Sequence, residues 1–162
     1  MPSSHNIDIR IEAGEWSKIL PNWQNICKQA AKAVLESQWK INLPAEISIV
    51  LADDAFVRNL NKLYRGQDVP TNVLSFPSNE NYSEAITPRP IGDVVFAFET
   101  CCEELFNGDH ITEFADHICH LVVHGVLHLL GYRHEINVEA EQMESLEIQI
   151  LANLGVANPY DE

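Results

Sequence analysis

The stretch His124-Gly125-Val126-Leu127-His128-Leu129-Leu130-Gly131-Tyr132-Arg133-His134 decides how the chain is read. Two histidines four positions apart project from one face of a helix, about one turn from each other. Gly131, three residues after the second, suits the end of that helix because it enters the left-handed conformation without steric penalty. Beyond it the chain turns back and presents His134. Three imidazoles around one point make a divalent-metal site with an open position, the arrangement of catalytic rather than structural zinc.

Working back along the same helix, His117, His120, His124 and His128 fall at about 0°, 300°, 340° and 20° of rotation, within a sector of about 80°. Leu121, Val122, Leu127, Leu129 and Leu130 already supply apolar surface, so packing does not account for the stripe. The reading is one divalent ion held by His124, His128 and His134. Zinc, as Zn2+, is the expected ion, although nickel and copper also suit imidazole. His120, one turn earlier, supports a ligand or faces substrate, and His117 is exposed.

The remaining elements follow from periodicity. Residues 6–12 and 46–52 read as strands, and residues 72–76 as a short third one. Residues 91–98 are apolar enough for a central strand. Trp16 to Leu35 recur at helical spacing, with Pro21 near the helix start and the tryptophans in the core. Asp53 and Asp54 open a helix that runs to Arg65-Gly66, buried through Phe56, Val57, Leu60, Leu63 and Tyr64. Residues 77–90 form a surface loop, and a short helix spans about 99–106. The histidine helix covers 110–130. A last helix covers about 137–153, with Val138, Met143, Leu146, Ile150 and Leu154 inward and Glu139, Glu141, Glu144 and Glu147 as a solvated acidic face. Strands and helices mix without βαβ regularity. An α+β fold is expected: a single domain over 1–162, an about four-stranded mixed sheet packed with helices, the metal site on the main helix and its following turn.

With 162 residues, 46% of them apolar, one domain with a real core is expected. No apolar run is long enough to span a membrane, and the N-terminus has no secretory pattern, so the expected location is cytoplasmic. The four cysteines show no paired spacing. A net charge of -14 opposes broad attraction to nucleic acid or anionic membrane. Any local basic spot must come from only 10 lysines and arginines.

The histidine spacing resembles the metzincin protease pattern H-E-x-x-H-x-x-G-x-x-H at every histidine and at the glycine. It departs at Gly125, where such proteases carry their general-base glutamate. The cradle survives and peptide hydrolysis by the usual route does not.

The stretch His124 to His134 also resembles the H-G-x-L-H-L-x-G-Y-D-H signature of the YbeY endoribonucleases. Asn61 to Pro77 resembles that family's N-x-x-Y-R-x-x-x-x-P-T-[DN]-V-L-S-F-P, and Gly92-Asp93-Val94 its G-D-I. The blocks occur in family order across essentially the whole chain. The resemblance implies a metal-dependent, single-strand-specific endoribonuclease of late ribosomal RNA maturation, notably the small-subunit 3′ end, and of ribosome quality control. It implies metal-ligand roles for His124, His128 and His134 and a catalytic role for Arg65. The implied partners are single-stranded ribosomal RNA and the small ribosomal subunit, with a small-subunit ribosomal protein and an Era-type GTPase. Arg65 agrees on chemical grounds, since guanidinium grips phosphate oxygens at two points. Arg133 stands where the family usually has aspartate. Either Glu135 or Asp93 takes over what that aspartate does, or Arg133 adds positive charge that helps hold RNA.

Overall fold

The computed structural model describes residues 5–78, 87–107 and 113–160. Strand β1 (Asn6–Ile11) leads into a single helical turn, α1 (Trp16–Ile19), and then α2 (Trp23–Gln38). Strand β2 (Ala45–Ala52) precedes α3 (Asp54–Arg65), and β3 (Val73–Pro77) and β4 (Arg89–Ala97) follow. The chain continues through α4 (Phe98–Asn107), α5 (Phe114–Leu129) and α6 (Asn137–Asn153). The single stretch of helical spacing from Trp16 is thus split at Pro21, which has no N–H to continue the ladder. Residues 110–112 of the expected histidine helix, and 79–86 of the expected loop, lie outside the described residues.

The four strands form one mixed sheet in the order β1-β2-β4-β3. β1 and β4 both pair parallel to β2, while β3 pairs antiparallel to β4. β4 is therefore central, as its apolar run Val94-Val95-Phe96-Ala97 demands.

Alternation along β2 and β4 gives the sheet two buried faces. Ile47, Ile49, Leu51, Val94 and Phe96 belong to the main core with α2, α5 and α6. Val50, Ala52, Val95 and Ala97 face the other way and pack with Val57 and Leu60 of α3. Trp16 is fully buried, its indole N–H donating to Ala52 O at 2.9 Å, so the tryptophan is a core residue with its one polar atom satisfied.

Four apolar assignments need correction. Phe56 is 36% exposed and Leu63 and Tyr64 are each 69% exposed, so the buried stripe of α3 is narrower than its composition implies. Leu63 is rotated about 120° from Val57, and Tyr64 lies in the last turn, where its ring stands 5.5 Å from that of Phe76. Val138 is 64% exposed because it sits about 140° around α6 from the buried Met143.

Among the described residues, no helix is long and apolar enough to cross a membrane.

Candidate metal centre and cleft

Helix α5 carries the site, and its packing on the sheet fixes where the histidines point. Gly125 faces the sheet so closely that a Cβ there would lie 2.6 Å from Val94 Cγ1. Its carbonyl accepts the Ser75 hydroxyl at 2.9 Å. The position after the first histidine therefore points into β3 and β4, not into the cleft, and it has no room for a glutamate. Gly125→Ala gains about 1 kcal/mol of helix propensity but overpacks against a fully buried Val94, a cost of about 1–3 kcal/mol. A net loss of stability is expected, read as a lower denaturant midpoint; an unchanged or raised midpoint would contradict this packing.

The helix ends in a hydrogen-bonded glycine turn. Gly131 adopts φ of 100°, its N–H donates to His128 O at 3.0 Å, and Tyr132 N–H donates to Leu127 O at 3.1 Å. This Schellman arrangement closes the last turn and redirects the chain so that His134 returns to the helix. The ring centroids of His124, His128 and His134 are 4.6 to 5.3 Å apart. One ring nitrogen from each lies within 4.8 Å of the others.

The hydrogen bonds determine which nitrogen of two of these rings is free. His128 Nδ1 lies 2.9 Å from Tyr132 O, and a carbonyl only accepts, so Nδ1 carries the proton and Nε2 a lone pair. Burial, reinforced by His124, lowers the His128 pKa to about 4, so the ring is neutral at physiological pH. His124 Nδ1 lies 3.0 Å from Glu147 Oε1. Burial works to raise the Glu147 pKa, but hydrogen bonds from His120 and His124 outweigh it and hold the pKa at about 2. That carboxylate is therefore also only an acceptor, and His124 too exposes Nε2 as a lone pair. The two Nε2 atoms are 3.1 Å apart. Two lone pairs at that distance repel, and a cation held by both removes the repulsion. Nitrogen ligands of a tetrahedral zinc with Zn–N of about 2.0–2.1 Å would be about 3.3 Å apart, so the donor set fits such an ion.

The three histidines open onto a cleft of about 920 Å³. Arg65, Ser75, Arg133 and Glu135 also line it. Arg65 is the last residue of α3, whose following Gly66 adopts the left-handed conformation with φ of 68°. Its guanidinium donates to Ser75 O at 2.8 Å and lies 5.6 Å from the Phe76 ring centroid, which carries it across β3 to the cleft. Asn61, buried beneath it, donates to Val69 O at 2.8 Å, and Arg58 pairs with Asp68 at 2.8 Å; both tie down the loop after α3. Several residues of the Asn61–Pro77 block thus hold the loop that places Arg65. The arginines Arg65 and Arg133 make a local basic spot in a chain of net charge -14.

Not every sequence candidate reaches this cleft. Asp93 is exposed and does not line it. Strand alternation puts Asp93 on the same face as Val95, opposite the Val94 face on which α5 packs. His120 is set back from the three rings and contacts Glu147 Oε2 at 2.7 Å. His117, partly exposed, pairs with Glu104 at 3.0 Å, and Glu104 also accepts from Asn72 Nδ2 at 2.9 Å. The acidic residues of α6 are not one solvated face: Glu147 is 1% exposed. At 100° per residue it lies only about 40° from Met143 and about 60° from Ile150, inside the apolar stripe, and that angle was the available signal. His120, His124 and Glu147 form a second cluster of potential ligand atoms.

Known proteins place this geometry. The family model for Endoribonuclease YbeY matches residues 9–155. The chain belongs to the endoribonuclease YbeY family. Membership makes it an enzyme, a hydrolase acting on RNA. An Endoribonuclease YbeY of Azorhizobium caulinodans is 48% identical over 155 residues, 95% of each chain. One from Paramagnetospirillum magneticum is 45% identical over 162 residues, 96% of each. A solution structure of a protein from Thermotoga maritima shares the fold, with a TM-score of 0.53 at 23% identity, covering 96% of this chain and 99% of that one. The family match, over residues 9–155, spans both the His124–His134 stretch and the Arg65 loop.

Proposed function

We propose that the chain is a metal-dependent, single-strand-specific endoribonuclease acting in late ribosomal RNA maturation, at the small-subunit 3′ end, and in ribosome quality control. The observation that carries this reading is the pair of facing Nε2 lone pairs of His124 and His128, with His134 beside them, in an open cleft that also receives Arg65.

His124, His128 and His134 would hold one divalent ion, with Zn2+ the expected occupant. When bound, such an ion supplies Lewis-acid polarisation of a phosphoryl oxygen and the acidity that makes water a nucleophile near neutral pH. Arg65 grips the phosphate and offsets charge developing on its oxygens, since one N–H on Ser75 O leaves other guanidinium donors free. Arg133, exposed at the cleft, holds the incoming strand by charge. Glu135 lines the same cleft and is placed to exchange protons with water there, whereas Asp93 is on the wrong face of the sheet. The substrate is single-stranded ribosomal RNA on the small ribosomal subunit. A small-subunit ribosomal protein and an Era-type GTPase are the proposed partners, in the cytoplasm.

The test uses a single-stranded fragment of the small-subunit RNA 3′ end. Cleavage is expected to fall to background after chelation and to return on adding Zn2+. Unabated cleavage by the chelated enzyme would sink metal dependence. Equal cutting of a duplex would sink the strand preference, and digestion of an unstructured protein would revive a peptidase.

A further inference from the structure

Glu147 is the one buried acidic or basic side chain among the described residues. It is 1% exposed in α6, and its carboxylate takes three hydrogen bonds. His124 Nδ1 reaches Oε1 at 3.0 Å, while His120 Nε2 and the Tyr160 hydroxyl reach Oε2 at 2.7 and 2.8 Å. The Tyr160 ring stands edge-on to His120, with centroids 5.5 Å apart. Three donors on two oxygens hold the carboxylate so that it cannot rotate without losing a bond. Burying a carboxylate this deeply is costly unless it is paired and hydrogen-bonded, and one of its partners, at 3.0 Å, is the ring that presents Nε2 to His128.

Resting on the metal-site reading above, we propose that Glu147 is a positioning residue of the metal centre, locked in place by His120 and the C-terminal Tyr160. It keeps the His124 proton on Nδ1, so that Nε2 is permanently the lone-pair nitrogen. It also fixes the plane of the ring, which otherwise turns about its side-chain bonds. A carboxylate behind a metal-binding imidazole raises the ring's basicity as well as orienting it. A residue distant in sequence thereby becomes part of the site: Tyr160 is 31 residues beyond Leu129, the last residue of α5, yet only one hydrogen bond from the carboxylate that holds His124.

The experiment compares the full chain with Glu147→Gln and Tyr160→Phe, using Zn2+ and a competing chromogenic chelator. Glutamine keeps the shape but turns one acceptor into a donor, which then meets a donor from His120, Tyr160 or His124. Its zinc affinity is expected to be about 10–100-fold weaker than wild type. Tyr160→Phe removes one of three donors and is expected to lose about tenfold or less. Melting temperature with and without zinc separates positioning from mere packing. A packing role lowers both melts equally and leaves the zinc-induced rise intact, whereas a positioning role shrinks that rise. Long-range proton–nitrogen spectra give a third readout, with His124 Nδ1-protonated in wild type and a tautomer mixture in Glu147→Gln.

If wild type binds zinc and Glu147→Gln binds it equally well, the positioning role is overturned while the metal site stands. If wild type itself binds no zinc, nickel or copper, the metal reading fails and takes this inference with it.

Discussion

Replacing His128 with alanine is expected to lower RNA cleavage by at least about a thousandfold, because a catalytic metal contributes several kcal/mol to the transition state and each 1.36 kcal/mol is tenfold in rate. The geometry makes this ring the hardest to replace. It is the one whose Nδ1 is committed to a backbone carbonyl, Tyr132 O, and whose Nε2 faces that of His124 at 3.1 Å. Burial keeps it neutral, with its pKa lowered to about 4, so its lone pair is available throughout the physiological range. Two imidazoles left behind make a poor zinc site, since catalytic sites use three protein ligands. The fold is expected to survive. Alanine loses the bond to Tyr132 O, about 1 kcal/mol, but also relieves the repulsion between facing lone pairs. The measurement is a zinc titration and a cleavage assay on wild type and His128→Ala purified identically, with circular dichroism to check folding. Cleavage by the folded variant within tenfold of wild type would refute the ligand assignment, or expose a shared contaminating nuclease.

The metal triad was legible in the sequence because it is local. Spacing on one helix, a glycine and a short return place all three histidines within one eleven-residue stretch, so helical geometry alone brings them together. The strands and most helices were legible for the same reason, since alternation and 3.6-residue periodicity are short-range signals. What was missed depends on tertiary contact. Glu147 was read as part of a solvated acidic face because three exposed or half-exposed glutamates share its helix, although its angle put it among Met143, Ile150 and Leu151. Tyr160 carries no periodic signal at all, and only the fold brings it to His120 and Glu147. Asp93 was suggested by its family block, yet strand alternation sends it to the α3 side of the sheet. Gly125 was read as the loss of a base. Its close approach to Val94 adds a packing reason for the glycine.

Arg65→Ala is expected to reduce cleavage of single-stranded RNA by about 10²–10³-fold, the cost of removing one donor aimed at developing transition-state charge. Its neighbours argue that the side chain is held for such a purpose. An exposed arginine at a helix C-terminus is ordinarily free, but this one is drawn across β3 by Ser75 O at 2.8 Å and lies near the Phe76 ring. Ser75 in turn donates to Gly125 O on the metal-bearing helix, so a single strand residue fixes Arg65 and α5 relative to each other. The loss should therefore appear in kcat, with zinc affinity unchanged and stability altered by no more than about 1 kcal/mol, as for exposed substitutions. Arg65→Lys keeps the charge without the fork and should recover only part of the rate. Arg133→Asp offers the contrast. It is exposed at the cleft, so its effect should fall on KM and on the salt dependence of RNA binding. A kcat unaffected by Arg65→Ala would remove the arginine from catalysis and leave it a loop anchor. An Arg133→Asp variant with unchanged RNA affinity would return the cleft's positive charge to Arg65 and the metal alone.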